Sequence, residues 1–389
     1  MPTERTPKPV RPYQIVALIL LAAFVAQCCY FVFAVSLTQL EADQIRRGVE
    51  FLHRAPWSPD AASSPLIPLL SVVGIAFHLR HGAVPDQFWL DGHRWFIRAP
   101  FLLAGLCLAL SLWYIARRLF GNWAGNAALA LYAFSPGMVA GSSMVGPQIF
   151  AAWGAFGLIF AALATAHTLY VPRPVILWNW KRIVLLGVAI TFAVGAGWPL
   201  VWLLLPAAAL MLWAVPHRPG GALLILAASV VVAGLLLLAC YQGRIAMLAS
   251  GASHAGMAGL ASQILPARLL LRVLLRFFLD AVPATLLLAA CALAAWIAWP
   301  HTRFFSTTVP LIVFVFLLAV GIALPDAGAN AALFATLPFL MLFVSGIFAD
   351  LWESRWQAPA LAFLFAMIAA QAAYSIAGLI RMYSRPPVM

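Results

Sequence analysis

The chain has 389 residues, 65% of them hydrophobic and only 9% charged, with a formal net charge of +12. A water-soluble protein of this size cannot hide so much apolar surface, so lipid must be the solvent for most of the chain. Nucleic acid is excluded as the partner for the positive charge, because the basic residues are scattered among connections and form no tract or binding module; anionic lipid headgroups are the simpler partner.

Apolar blocks of about 18 to 25 residues match the thickness of a bilayer core at the rise of an α-helix, and the ten-residue alternation of a membrane barrel is absent. The expected fold class is therefore an all-α polytopic membrane protein of about eleven spans. In chain order they are predicted over 14–36, 99–116, 123–141, 147–170, 183–196, 198–215, 222–241, 281–299, 307–324, 331–349 and 358–380. Gly195, Gly197 and Pro199 make the fifth and sixth a broken pair, and a break at membrane depth is tolerated only where protein or a cavity covers it. The basic, proline-rich start, Met1 to Tyr13, precedes an apolar run without a small-residue cleavage site and reads as an uncleaved anchor. Neither a repeat nor a low-complexity linker stands out, so 1–389 is expected to be a single transmembrane domain.

Arg117, Arg118, Arg173, Lys181, Arg182, Arg218, Arg303 and Arg355 sit in short connections and put the N-terminus in the cytoplasm, with a bacterial inner membrane the expected setting. Two long connections, 37–98 and 242–280, then fall on the outer face. Cys28, Cys29, Cys107, Cys240 and Cys291 all lie in apolar runs without metal or redox spacing and read as small packing residues.

Of the 11 acidic residues, none falls in the middle of a predicted span, which argues against a proton-coupled transporter. The first outer connection holds Glu41, Asp43, Glu50, Asp60, Asp86 and Asp91. Ser36 to Arg54 reads as an amphipathic surface helix with Leu37, Leu40, Ile45, Val49 and Leu52 on or near one side. Glu41 and Asp43 lie about 200° apart around such a helix and cannot both face one site. Asp43 has Arg46 and Arg47 in reach, and Glu50 has Arg46 and Arg54, so both have local ion-pair partners. Glu41 has none within its own turn and is freer to act on a substrate; its structural alternative is a capping box with Thr38. Further along, His78, Arg80 and His81 lack carboxylates at ligand spacing and read as interfacial polar residues, and Asp91, His93, Arg94 and Arg98 read as charge at the headgroup boundary. No metal or other cofactor is required by any motif. In the second outer connection Arg268, Arg272 and Arg276 recur every four residues and form one helical stripe, with Asp280 a turn further on. Such a stripe suits a lipid phosphate or ordinary headgroups.

Leu40-Glu41-Ala42-Asp43 after the first span and the proline turn Ser63-Ser64-Pro65-Leu66 resemble the acidic motif and turn of the GT-C glycosyltransferases of the dolichyl-phosphate-mannose protein mannosyltransferase and lipid A aminoarabinose transferase type. Arg98-Ala99-Pro100 through Arg117-Arg118-Leu119-Phe120-Gly121, the turn from Ser135-Pro136 to Gln148, and the small-residue break from Gly195 to Leu200 are similar to later parts of that family. The resemblance covers about the first 200 residues by motif and the rest by hydropathy alone. It implies transfer of a sugar from a polyprenyl-phosphate carrier to an acceptor on the outer face, with Glu41 or Asp43 as general base and arginines on the departing phosphate. The departures are Glu-Ala-Asp for the family's Asp-Glu, serine for the histidine of the proline turn, and Gln148 in place of a second acid. They keep open an alternative of a different class, a catalytically degenerate membrane subunit or lipid-binding scaffold.

Overall fold

Inside hydrocarbon a backbone amide finds a partner only within its own helix or in a closed barrel, and this chain takes the first course. The structure, a computed structural model, describes residues 11–53, 64–76, 86–170, 175–253, 267–298, 304–323, 328–354 and 357–384, and among these no strand occurs. Chain order begins with α1 (Pro12–Ala34), α2 (Gln39–Leu52), α3 (Leu66–Val73), α4 (Gln87–Gly92), α5 (Arg94–Phe120) and α6 (Asn122–Ala133). It continues through α7 (Pro136–Ser143), α8 (Gln148–Ala166), α9 (Val175–Ala196), α10 (Leu204–Ala214), α11 (Pro219–Cys240) and α12 (Ile245–Ser253). The last five are α13 (Ala267–Ala281), α14 (Pro283–Ala298), α15 (Phe304–Ala323), α16 (Gly328–Trp352) and α17 (Gln357–Ser384). Proline opens α1, α7 and α11 at the helical position where its missing N–H costs nothing. Gly121 joins α5 to α6 at φ +102°, a conformation that a side chain would oppose.

Seven of these helices are long and apolar enough to cross a membrane, or eight when α13 and α14 are taken as one bent span. The expectation of about eleven differs for local reasons. The stretch 123–141 is not one rod, because Ser135 and Pro136 end α6 and start α7. The broken pair is present: α9 ends at Ala196, a 3-10 turn runs over Trp198–Leu203, and the apolar helix that follows is short, as is Thr307–Ala323.

The core lies around α16, whose apolar window is 100% buried, while the windows of α11 and α17 are 28% and 22% buried and leave most of their surface for lipid. Phe339 of α16 packs at 5.5 Å from Phe156 of α8, and Phe343 is also fully buried. Each such aromatic removes a large apolar area from other contacts and fixes the helix pair by shape.

The α6–α7 break frees carbonyls that lipid cannot satisfy. Buried glutamines take them: Gln27 of α1 donates to Ala133 O at 3.0 Å, and Gln371 of α17 donates to Leu131 O at 3.0 Å. Ser375 donates to Gln27 Oε1, while Gln371 Oε1 accepts from the amide and hydroxyl of Thr285. Ser135 accepts from Met138 N and donates to Ala281 O, so the same break holds the bend between α13 and α14. A short polar network thus fixes α1, α6, α14 and α17 at one end of the bundle. The connection carrying Glu41 leaves from that end.

Candidate functional site

The polypeptide leaving α1 must satisfy the last carbonyls of that helix and then turn sharply into α2. Side chains from distant positions do this. Arg98, in the first turns of α5, donates through Nη1 to Val35 O at 2.7 Å and through Nη2 to Ser36 O at 3.1 Å. Asp91, from α4, accepts from Leu37 N at 2.9 Å. Glu41 accepts from Thr38 N at 2.9 Å and from the Thr38 hydroxyl, and Thr38 Oγ1 in turn accepts from Glu41 N, a reciprocal capping box.

Glu41 and Arg98 meet directly. Arg98 Nε donates to Glu41 Oε1 at 3.0 Å and Nη2 to Oε2 at 2.8 Å, the parallel fork that guanidinium and carboxylate form best. Their side chains are 1% and 0% exposed. Glu41 Oε1 also accepts from Val145 N at 2.9 Å, in the turn between α7 and α8. Both carboxylate oxygens are therefore fully engaged, and one ion pair holds α1, α2, α5 and the α7–α8 turn together. The reasoning that a carboxylate without a basic residue in its own turn stays free is corrected here: the partner comes from 57 positions away. Arg98 is fully buried in the protein, and nothing in its spacing signals this.

Two residues on, Asp43 has a different setting. It is 47% exposed and pairs loosely with Arg46 at 3.6 Å. The opposition of Glu41 and Asp43 around the helix follows the expected rotation. Of the apolar residues assigned to one side of α2, Leu37, Ile45 and Val49 are buried, whereas Leu40 is 80% exposed and Leu52 is partly exposed. Leu40 precedes Ile45 by five residues, about 140° of helix rotation, which takes it off the buried stripe. That stripe packs on α3, with Gly48 so close to Pro68 O that a Cβ there would overlap it. The proline turn is tied to the broken pair, because the buried Ser64 hydroxyl donates to Gly195 O at 2.7 Å and accepts from Leu66 N. Gln148 begins α8 and is partly exposed.

Behind α2, Gln242 donates to Phe51 O at 2.9 Å from a left-handed backbone conformation, φ +53°.

The arginine stripe lies on α13 as a helix, turned 113° from α14. Arg272 and Arg276 are exposed, and Arg276 reaches Asp280 at 3.9 Å. The side chain of Arg268 lies outside the described residues, as do Arg54, Asp60, His78, Arg80 and His81. Among the described residues no three His, Cys, Asp or Glu side chains gather into a metal-binding set.

The sequence matches no family model and no curated protein. The fold does have relatives. It is similar to an oligosaccharyltransferase of Archaeoglobus fulgidus in complex with Zn and sulfate, with a TM-score of 0.57 and 13% identity over 94% of this chain. It is equally similar to the archaeal oligosaccharyltransferase AglB from Archaeoglobus fulgidus in complex with an inhibitory peptide and a dolichol-phosphate, at TM-score 0.57, 15% identity and 95% coverage. An apo form of the Archaeoglobus enzyme aligns at 0.53 with 14% identity. The chain spans about half the length of these proteins, 53% to 56%. At such identities the likeness establishes the fold, an all-helical polytopic membrane protein of the GT-C-like kind.

Proposed function

We propose that this protein is a membrane glycosyltransferase that moves a sugar from a polyprenyl-phosphate carrier to an acceptor on the face carrying α2 and α13. The observation carrying this reading is that nearly the whole chain follows the fold of an oligosaccharyltransferase that binds a dolichol-phosphate and a peptide. In this reading the face is the outer, periplasmic one, with the N-terminus of α1 cytoplasmic.

Chemistry at the site divides between two carboxylates. Glu41 is a positioning residue, since all its lone pairs are spent on Arg98, Thr38 and Val145. Asp43, with solvent access and one loose partner, is the group able to accept a proton from an acceptor hydroxyl as it attacks the anomeric carbon. The carbon–oxygen bond to the carrier phosphate breaks as the new bond forms on the opposite side, inverting the anomeric centre. Arg272 and Arg276, with Arg268 on the same helical stripe, take the departing phosphate.

The test is mass spectrometry of lipids copurifying with the wild type and with Arg272→Gln/Arg276→Gln, followed by transfer assays with Asp43→Asn. A polyprenyl-phosphate sugar bound by the wild type, depleted in the arginine variant, and transferred at a rate reduced on the order of a hundredfold or more by Asp43→Asn is the expected result. A second reading, a non-catalytic lipid-binding subunit, is favoured by the complete engagement of Glu41 and the amide at Gln148. It predicts a bound carrier with no transfer and no effect of Asp43→Asn.

A further inference from the structure

Away from Glu41, at the same end of the bundle, a cleft of about 230 Å³ opens between α1, α7, α13 and α17. Its walls are apolar, made by Phe31, Val139, Gly378 and Leu379, and two charged residues of opposite sign, Asp280 and Arg381, also line it. The depth of these residues follows from the helices that carry them. Phe31 lies three residues from the end of α1, Arg381 three from the end of α17, and Asp280 just before the bend where α13 turns away from α14. Helix ends and a helix lying crosswise to the bundle mark the headgroup level, so the cleft runs from headgroup depth into the acyl region. Tyr374 also lines it, deeper along α17.

A cleft with apolar walls, one acid and one base selects an amphiphile carrying both charges. A polyprenyl phosphate fits poorly, because its anionic head would meet Asp280. We infer that this cleft is a binding site for an aminophospholipid, its ammonium on the Asp280 carboxylate, its phosphate near Arg381 and the start of one acyl chain along Gly378 and Leu379. Asp280 retains capacity for such a ligand: its pair with Arg276 is 3.9 Å long and both side chains are mostly exposed, a geometry that holds neither strongly. The site adjoins the arginine stripe through the Asp280–Arg276 pair but uses neither Arg272 nor Asp43, and lipid retention tests it apart from the transferase reading.

Gly378 supplies the test. A Cβ built there meets nothing within 4 Å, so a larger residue enters open space without displacing backbone, and replacing a mid-helix glycine favours the helix. The full chain, delipidated in mild detergent, is reconstituted into nanodiscs of phosphatidylethanolamine and phosphatidylglycerol in equal amounts, and retained lipids are counted by native mass spectrometry after release. Wild type is expected to retain phosphatidylethanolamine over phosphatidylglycerol at a ratio well above the one-to-one ratio of the bulk. Asp280→Asn, an exposed change that leaves packing alone, is expected to lower that enrichment on the order of fivefold, and Gly378→Leu to abolish it. Retention at the bulk ratio by wild type, enrichment of phosphatidylglycerol instead, unchanged retention in Asp280→Asn, or displacement of the retained lipid by added polyprenyl phosphate overturns the assignment. Should Gly378→Leu fail to give a monodisperse helical protein, Asp280→Asn decides alone.

Discussion

Two charged regions share one end of this bundle and differ in almost every physical respect. At the start of α2, Glu41 and Arg98 are sealed from solvent and use their hydrogen-bonding capacity on each other and on the backbone of Val35, Ser36, Thr38 and Val145. Along α13, Arg272 and Arg276 stand in the open, with a single long pair to Asp280. A charge buried in a complete network holds structure together, and its removal is felt as lost stability. An exposed charge costs little to remove and is available to a ligand. Asp43 belongs with the second kind although it sits two residues from Glu41.

The largest effect should come from Arg98→Met, which leaves the Glu41 carboxylate buried and unpaired. A loss of about 3–5 kcal/mol is expected, read as a large fall in Tm in detergent. The double change Glu41→Leu/Arg98→Met should recover part of it, because no buried charge remains; a single variant as stable as wild type would show that the pair holds nothing. Next is Ser64→Ala, which leaves Gly195 O and Leu66 N without their partner at the broken pair, at a cost of about 1–3 kcal/mol by the same melting measurement. Asp43→Asn should shift stability by only about 0.5 kcal/mol. Its effect on transfer, by contrast, separates the enzyme from the scaffold. Smallest of all, Arg276→Gln should leave Tm within error while weakening flotation with anionic vesicles, and the difference from wild type should shrink as salt rises. A fall in Tm as large as that of Ser64→Ala would move Arg276 into the first kind of region.

Much of the fold was legible in the residues. Apolar run length located the described spans to within a few residues for α1, α11 and α17, because lipid leaves a spanning segment little choice but a helix. The capping box at Thr38 and the break after Ala196 were readable for a similar reason, each being decided within one turn of chain. The number of spans was harder to read, since hydropathy does not distinguish one rod from two short helices: Ser135-Pro136 divides a run that looks continuous.

At the site, the sequence correctly placed Glu41 and Asp43 on opposite sides of α2 and gave Asp43 its neighbour Arg46. It could not supply Arg98. Ion pairs within a helix turn follow from spacing, whereas a pair bridging 57 positions depends on how α2 and α5 come together. For the same reason the positions of Gln27 and Gln371 along their helices do not reveal the α6 carbonyls they cap. Composition and periodicity by themselves determined that this is a helical membrane protein with two charged connections. Only the tertiary structure decided which charges are spent on holding those connections and which stay exposed, because burial and partnership are properties of the packed bundle and not of any one helix.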